Sequence, residues 1–414
     1  MFNTIDEVYD YLYNQRKKEK RENLNRIKTC FNLLNLKANY KIIHIAGTNG
    51  KGSTALAIKN ILANKYHVGF FISPFILKFN ERIQINDRMI SDSEIMHYAN
   101  ILYNLNENYK KEYDDVIPFF ELTLLMALMY FNDRNIDYLV LECGLGGRLD
   151  ATNFLDSDIE IITNIGYDHM AQLGNTLEEI SYHKLGITRE NHYCLTTIDE
   201  KLYDYFNNYA KENNIKLKIL NDDIKDIRID NYTHFKYKNI EYKTNLLGLY
   251  QAKNMSLAIE CVKLLDNSIN DDIINFSISN LFWPGRFEII QNKPLIILDG
   301  AHNISAINEL IKSINLIKDN RKIKIIFTAL MDKDYKSIIK SLDTISNYYY
   351  FTTIDDLRKT DSKIFKELTN IKSESIDNYK ECIDKAINEL QSDEILLITG
   401  SLHFISEARK YIKK

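Results

Sequence analysis

Residues 41–64 constrain the fold more than any other part of the sequence. The segment opens with the β-branched run Lys41–Ala46, passes through the glycine-rich loop GTNGKGS at 47–53, and continues at 55–64 with helical composition. A strand, a glycine loop and a helix in this order form a βα unit, and such units build parallel sheets covered by helices. The sequence therefore predicts an α/β protein.

The loop at 47–53 has the features of a phosphate-binding loop. Its glycines permit positive φ angles and close backbone approach, and the following helix would present free N–H groups to an anion. Lys51 would reach terminal phosphates and the Ser53 hydroxyl would face a metal ion. One glycine separates Lys51 from Ser53, unlike the usual GxxxxGK[ST] spacing. The alternative is a tight turn that carries an exposed lysine.

Two α/β patterns follow one another along the chain. The first has short apolar runs at 68–72, 138–141, 160–163 and 194–197, with a helical segment at 121–131. The second has runs at 295–298, 323–328, 347–352 and 394–399, with helical segments at 306–317, 335–342 and 378–390. A polar stretch at 221–245 predicts a small antiparallel excursion or a long hairpin.

The length of the chain favours two domains. At 414 residues it exceeds the size that one hydrophobic core usually reaches. We predict an N-terminal P-loop ATPase-like parallel-sheet domain at 1–285 and a smaller C-terminal Rossmann-like domain at 286–414. The boundary is expected near Trp283-Pro284-Gly285-Arg286.

Charge and cysteine usage exclude several classes of protein. A net charge of −4 disfavours a general nucleic-acid binder, and the basic run at 16–21 is interpreted as a solvated helix face or connector. Five scattered cysteines without a CxxC pair indicate free thiols rather than a zinc knuckle or disulfides. The sequence contains no apolar run of transmembrane length and no signal-peptide pattern. We expect a cytoplasmic monomer with neither nucleic-acid nor membrane partners.

A series of short motifs follows the loop in a characteristic order. They are Ile72-Ser73-Pro74-Phe75, Asn80-Glu81-Arg82-Ile83, Phe120-Glu121, Glu142-Cys143-Gly144-Leu145-Gly146-Gly147-Arg148-Leu149-Asp150-Ala151-Thr152-Asn153, Thr163-Asn164-Ile165-Gly166-Tyr167-Asp168-His169, Lys184-Leu185-Gly186-Ile187, Pro284-Gly285-Arg286, Asp299-Gly300-Ala301-His302-Asn303, Asp332-Lys333-Asp334 and Gly400-Ser401-Leu402. With GTNGKGS, these motifs resemble those of the folylpolyglutamate synthase/dihydrofolate synthase family, relatives of the Mur ligases. The resemblance covers nearly the whole chain.

The resemblance implies an enzyme that joins L-glutamate to the carboxylate of a folate, of dihydropteroate, or of both. ATP would phosphorylate that carboxylate, and the glutamate amine would then displace phosphate from the acyl phosphate. The expected cofactors are ATP and Mg²⁺ at two sites, with a monovalent cation as a further candidate. The second domain would be the glutamate-ligase domain, and ATP would lie in the cleft between the two domains.

The resemblance also implies which residues bind the nucleotide. From the loop and the second half of the chain, these are Gly47, Thr48, Asn49, Gly50, Lys51, Gly52, Ser53, Gln251, Asn254, Arg286, Asp299 and His302. Arg286 would clamp phosphate, Asp299 would accept from a ribose hydroxyl, and His302 would stack on adenine. Tyr250 replaces the usual His and Ile304 the usual Pro.

The expected metal ligands are oxygen-rich, as Mg²⁺ prefers. The implied set is Ser53, Ser73, Glu142, His169 and Lys184. Glu142 directly follows an apolar strand, where open α/β sheets present site groups. Lys184 would act as a carbamate, although His183 stands where the family usually has Glu. Lys51, His169 and Lys184 are the catalytic candidates.

The substrate-binding candidates lie within the segments at 73–82 and 119–150 and in the motif at 400–402. They are Phe75, Arg82, Phe120, Asp150 and Ser401. Phe75 occupies a position where many family members have His, so the pterin contact is expected to differ. Aromatic residues such as Phe120 are otherwise often ordinary core residues.

Two alternatives remain open on the sequence. A Mur-type ligase acting on a UDP-linked cell-wall precursor would usually carry an extra N-terminal domain, whereas about 40 residues precede this loop. A nucleotide-binding regulatory protein that has lost catalysis would not need Lys51, Glu142 and Lys184 together. We therefore favour the folate ligase.

Overall fold

The computed structural model describes residues 1–15 and 22–413. The basic run at 16–21, predicted as a helix face or connector, lies outside the described residues. The chain packs as two compact units, residues 1–221 with 254–277 and residues 222–253 with 278–414. Each unit contains a largely parallel sheet with helices, which confirms the predicted α/β class. The domain boundary predicted near residue 285 stays a prediction.

The first unit is built on an eight-stranded sheet. Its strands are β1 (Lys41–Ala46), β2 (Val68–Phe71), β3 (Ile83–Ile85), β4 (Arg88–Met89), β5 (Tyr138–Glu142), β6 (Ile159–Ile162), β7 (Tyr193–Thr196) and β8 (Lys216–Ile219). Their spatial order is β4-β3-β2-β5-β1-β6-β7-β8; the pairings of β3 with β2 and with β4 are antiparallel, and the other pairings are parallel. Strand β1 lies between β5 and β6, so the ends of these strands open onto one edge.

Helices cover this sheet. They are α1 (Ile5–Asn14), α2 (Asn25–Leu33), α3 (Lys51–Leu62), α4 (Asp92–Tyr113), α5 (Phe119–Arg134), α6 (Met170–Leu173), α7 (Leu177–Leu185) and α8 (Tyr203–Glu212). Helices α9 (Leu249–Leu265) and α10 (Asp271–Ser279) each have residues in both units. Short 3₁₀ turns occur at Phe79–Arg82, Ala151–Phe154, Glu200–Leu202 and Asn221–Asp223. Helix α5 is buried on nearly all sides from Glu121 to Phe131, which explains its continuous apolar run. Among the described residues, no helix is both long and apolar enough to cross a membrane.

The second unit contains two sheets. A three-stranded antiparallel sheet, the excursion predicted at 221–245, consists of β9 (Ile224–Ile229), β10 (Thr233–Tyr237) and β11 (Ile240–Thr244). The six-stranded sheet consists of β12 (Glu288–Asn292), β13 (Leu295–Asp299), β14 (Lys322–Phe327), β15 (Tyr348–Thr353), β16 (Ser373–Asn378) and β17 (Glu394–Thr399). Its order is β12-β13-β17-β14-β15-β16, and only the pairing of β12 with β13 is antiparallel.

Helices pack on both faces of the six-stranded sheet and bury two separate apolar clusters. They are α11 (Ile304–Ile317), α12 (Tyr335–Leu342), α13 (Ser362–Lys366), α14 (Tyr379–Asn388) and α15 (Leu402–Ile412). Parallel strands buried on both faces account for the apolar runs that predicted them. The architecture is the Rossmann-like one expected for this part of the chain.

Candidate active site

The loop that follows β1 has the conformation expected for phosphate binding. Helix α3 begins at Lys51, four residues before the predicted start, and Gly50 is its N-cap with a φ of 83°. A Cβ atom at Gly50 would lie 2.3 Å from Asn254 Oδ1, so a side chain at this position has no room. Glycine is therefore required here both by backbone conformation and by the close approach of Asn254.

The segment after β6 holds the loop in place. The backbone N–H of Thr48 donates to Asn164 O at 3.0 Å, and the Asn49 N–H donates to Asn164 Oδ1 at 2.8 Å. The Thr48 hydroxyl both accepts from the Gly166 N–H at 3.0 Å and donates to Gly166 O at 3.1 Å. The sequence analysis assigned no role to Asn164, although it lies in the motif at 163–169. The structure shows that Asn164 fixes the loop through these two hydrogen bonds.

Lys51, Glu142 and Ser73 come together at the edge onto which β1 and β5 open. Lys51 Nζ lies 3.9 Å from Glu142 Oε1 and donates to Gly47 O at 3.1 Å. The backbone N–H of Ser73 donates to Glu142 Oε2 at 3.2 Å. Glu142 is buried, and so is Ser53 in the first turn of α3. A cation and a buried carboxylate thus lie together beside two serine residues, and oxygen groups of this kind are the ligands that Mg²⁺ prefers.

Lys184, at the end of α7, is buried rather than solvent-exposed; its residual exposure is 3%. Burial, together with the nearby positive charge of Lys51, lowers the pKa of the Lys184 ammonium to about 7. The acidic groups of Asp168 and Asp150 act in the opposite direction but do not cancel this effect. An amine with this pKa is largely neutral in slightly alkaline solution, so it is able to act as a nucleophile.

His169 lies at the start of α6 with a φ of 50°, a left-handed conformation uncommon for a residue other than glycine. Its Nε2 atom is 4.0 Å from Asp168 Oδ1, and its side chain is 45% exposed. Within 1–15 and 22–413, no three His, Cys, Asp or Glu side chains form a ready-made metal site. The predicted ligand set thus depends on serine, lysine and bound phosphate as well.

Arg82 is buried within a group of aromatic rings. Its guanidinium carbon lies 5.1 Å from the Phe75 ring centroid, 5.4 Å from that of Phe119 and 5.8 Å from that of Phe79. Among the described residues its Nε has no hydrogen-bond partner. Burial lowers the pKa of Arg82 to about 10. An arginine held by ring faces rather than by its Nε donor is arranged to bind a planar or anionic ligand.

The other two substrate candidates of this unit line the loop that follows Glu142. A Cβ atom at Gly144 would lie 2.7 Å from the ring of Phe120, so the ring packs directly on the loop backbone. Asp150 is buried, and its carboxylate accepts from the backbone N–H groups of Leu145 at 2.7 Å and Thr152 at 3.0 Å. Asp150 therefore shapes this loop whatever else it contacts.

In the second unit, Asp299 organises the loop after β13. Its carboxylate accepts from the N–H groups of Phe287 and Ala301, both at 2.8 Å, and from the Tyr250 hydroxyl. Burial raises the pKa of Asp299, and Arg286 acts against this shift. His302 Nδ1 lies 2.8 Å from Gly300 O, and Asn303, not Asp299, caps α11. Sequence reasoning did not anticipate that Tyr250 would bond to Asp299.

The remaining second-half candidates lie on two helices. Gln251 and Asn254 are one turn apart on α9, and both are buried. Ser401 is the N-cap residue of α15, and its side chain makes no capping hydrogen bond there.

Comparison with known sequence families gives two matches. Residues 45–262 match the Mur ligase middle domain, and residues 285–402 match the glutamate ligase domain of Mur ligases. A Bacillus subtilis protein named dihydrofolate synthase/folylpolyglutamate synthase is 32% identical, with 100% of both chains covered. A Buchnera aphidicola protein of the same name is 34% identical over 91% of this chain and 88% of its own.

Solved structures share the fold over nearly the whole chain. E. coli FolC in complex with DHPP and ADP superposes with a TM-score of 0.89 at 26% identity, covering 99% of this chain and 98% of that one. The bifunctional folylpolyglutamate synthase/dihydrofolate synthase of Yersinia pestis, complexed with AMPPNP and Mn ion, gives 0.88 at 26% identity, covering 100% and 98%.

Proposed function

The chain belongs to the dihydrofolate synthase/folylpolyglutamate synthase family of the Mur ligases, and from this premise we propose how its residues perform the reaction. The predicted family and the predicted enzyme class are confirmed. The protein is an ATP-dependent ligase that joins L-glutamate to a folate or to dihydropteroate. The Mur-type alternative is supported only at the level of the superfamily.

The observation that carries the proposal is the convergence of the phosphate loop with Glu142. Lys51 Nζ lies 3.9 Å from Glu142 Oε1 at the edge of the sheet, and Asn164 holds the loop. We assign Gly47 to Ser53 to the phosphates of ATP. Lys51 would offset the negative charge that develops as the terminal phosphoryl group leaves ADP.

The proposed reaction has two steps. A carboxylate oxygen of the folate or dihydropteroate attacks the γ-phosphorus of ATP, the bond to ADP breaks, and an acyl phosphate forms. The glutamate amine then attacks the acyl carbon, loses a proton, and phosphate leaves with one former carboxylate oxygen. Excluding water protects the acyl phosphate from hydrolysis between the two steps.

The two-step route is tested by labelling the carboxylate of the acceptor with ¹⁸O. If an acyl phosphate forms, one labelled oxygen should appear in the phosphate released for each amide bond made. Phosphate without the label, released together with a ligated product, would show that ATP is not used to activate this carboxylate.

The enzyme uses a divalent metal ion with ATP, and the residues at this edge fit such an ion. Glu142 is buried beside Ser73, and the hydroxyl of Ser53 lies at the start of α3. We propose Ser53, Ser73, Glu142 and His169 as Mg²⁺ ligands, with a carbamate on Lys184 as the ligand of a second ion. Bound Mg²⁺ would neutralise phosphate charge. A monovalent cation remains a further proposal.

Substitution of Gly50 by alanine should strongly weaken nucleotide binding. The added Cβ atom would meet Asn254 Oδ1 at 2.3 Å, and the φ of 83° is unfavourable for alanine. We expect an increase of about tenfold or more in the KM for ATP, because local strain of about 1–3 kcal/mol displaces the loop. Steady-state kinetics at saturating glutamate measure this; an unchanged KM would contradict the role of the loop.

Substitution of Arg82 by lysine should affect the pteridine substrate rather than ATP. Lysine keeps the charge but loses the planar group that lies among Phe75, Phe79 and Phe119. A loss of about 1 kcal/mol would raise the KM for folate or dihydropteroate about fivefold and leave the KM for ATP unchanged. The exposed Arg88, changed to lysine, is the matched control. Equal effects on both KM values would mean general damage to the fold.

The other site assignments remain proposals from the family resemblance. We propose Gln251, Asn254, Arg286, Asp299 and His302 as nucleotide contacts, and Phe75, Phe120, Asp150 and Ser401 as contacts of the other substrates. Since Asp299 already accepts three hydrogen bonds, its contact with a ribose would be an additional one. We also propose a monomer that acts in the cytoplasm, where its five free cysteines would stay reduced.

A further inference from the structure

His44 is a polar residue in the most buried part of the first unit. It lies in the centre of β1, three residues before the phosphate loop, and its exposure is 0%. Its neighbours in the sheet are Leu141 of β5 and Glu160 of β6. Burying an imidazole is costly unless its polar atoms are bonded, so its partners must explain its presence.

A chain of hydrogen bonds leads from His44 to Asp150. His44 Nε2 lies 2.7 Å from Thr152 Oγ1, and Thr152 Oγ1 donates to Asp150 Oδ1 at 2.6 Å. The Asp150 carboxylate also accepts from two backbone N–H groups, so it acts only as an acceptor. The single hydroxyl proton of Thr152 therefore goes to Asp150, and the Thr152 oxygen accepts from the N–H of His44.

The environment of the other ring nitrogen, Nδ1, supports the same direction of the hydrogen bond from Nε2 to Thr152. His44 Nδ1 is buried and has no hydrogen-bond partner within the described residues. A bare lone pair there is less costly than an orphaned N–H donor, so the proton belongs on Nε2. Burial lowers the pKa of His44 to about 3, with the charge of Arg189 contributing, which keeps the ring neutral.

This series of hydrogen bonds ends at Asp150, in the loop at 143–150, which adjoins the proposed site residues Glu142 and Lys184. The loop begins directly after Glu142, and Asp150 closes it by bonding to the Leu145 N–H. The N–H of Arg148 donates to His183 O at 2.7 Å, and a Cβ atom at Gly147 would lie 3.0 Å from Lys184 O. The position of this loop therefore bears on both Glu142 and Lys184.

We propose that His44 is a positioning residue for glutamate ligation: through Thr152 and Asp150 it fixes the loop that follows Glu142 and contacts the backbone of Lys184. This inference rests on the proposed function. It assigns no chemical step to the ring. Cys143 Sγ, 3.1 Å from His44 Nε2, does not form a nucleophilic pair with it, because the thiol is 1% exposed and burial raises its pKa.

The test compares His44→Gln with His44→Leu. The glutamine amide extends about as far as Nε2 and restores the donor to Thr152, whereas leucine fills the space without a donor. We expect His44→Leu to lower kcat about 10- to 100-fold and to raise the Mg²⁺ concentration for half-maximal rate, while His44→Gln retains most of the activity. The KM for ATP should stay unchanged in both, since Asn164 holds the phosphate loop separately.

Three further variants keep the test decisive. Thr152→Val removes the intermediate hydroxyl. The kcat of the double variant with His44→Leu should be no lower than that of either single variant, because both substitutions interrupt the same series of hydrogen bonds. Ile43→Val, at the buried neighbouring position of β1, controls for lost stability and should retain wild-type kcat. Thermal unfolding verifies that each variant folds.

The inference is overturned if His44→Leu matches His44→Gln in kcat and Mg²⁺ dependence, since the ring would then only fill space. It is also overturned if Ile43→Val loses as much activity at equal stability. These outcomes differ from failure of the proposed function, in which the unmodified enzyme would ligate glutamate to neither folate nor dihydropteroate.

Discussion

Replacing Lys51 with alanine is expected to lower kcat by about 10²–10³-fold and to leave the fold intact. Among the described residues, Lys51 Nζ donates to the carbonyls of Gly47 and Thr48 and lies 3.9 Å from Glu142 Oε1. The substitution removes the positive charge nearest the phosphate loop, which the phosphoryl-transfer step needs most. The measurement is ADP release in the presence of glutamate and the pteridine substrate.

The matched control for this variant is Lys41→Ala. Lys41 is exposed at the first residue of β1, at the end of the strand away from the phosphate loop, so its loss changes the net charge equally but leaves the loop untouched. We expect wild-type kcat from this control. Glutamate ligation at an unchanged rate in Lys51→Ala would contradict the proposed mechanism, whatever its thermal stability.

Replacing Lys184 with alanine is expected to lower kcat by at least about 100-fold, because the negative charge of the proposed carbamate would be lost. In the carbamylation that we propose for the wild-type enzyme, the neutral amine attacks CO₂, a C–N bond forms, and one proton leaves. The pKa of about 7 means that the amine is mostly protonated below pH 7 and mostly neutral above it. Activity should therefore fall below pH 7, and removal of dissolved CO₂ should lower it at pH 8.

Short carboxylic acids test whether activity requires the negative charge of the proposed carbamate or the Lys184 side chain itself. Formate or acetate added to Lys184→Ala should restore part of the activity, since either places a carboxylate in the vacated space. The exposed Lys201, changed to alanine, is the control and should respond to neither treatment. If removal of CO₂ leaves the activity of the wild-type enzyme unchanged and no acid restores activity to the variant, then Lys184 acts as an amine and the assignment of a carbamate is wrong.

The sequence predicted the central strands well because they are buried on both faces. Strand β1 has the predicted bounds, and the apolar runs at 295–298 and 394–399 coincide with β13 and β17 to within one residue. Strands at the sheet edges were missed. β4 is two residues long, and β16 has Ile376 as its one apolar residue, so neither produces an apolar run.

The site was predicted from motif letters, but its environment was not. A lysine in a helix such as α7 is normally exposed, whereas tertiary packing buries Lys184 to 3% exposure. The bond from Tyr250 to Asp299 joins positions almost fifty residues apart, and no local pattern encodes it. The role of His44 was similarly hidden, because a histidine within an apolar run carries no signal of its partners.

The most direct test of the central claim is ADP release by the unmodified protein with ATP, Mg²⁺ and L-glutamate. Dihydropteroate and tetrahydrofolate are supplied in parallel reactions, and the masses of the products are measured by mass spectrometry. We predict that at least one of them stimulates ADP release and gains one glutamate residue for each ADP formed. Stimulation by neither, but by a UDP-linked sugar peptide, would contradict the assignment to folate ligation.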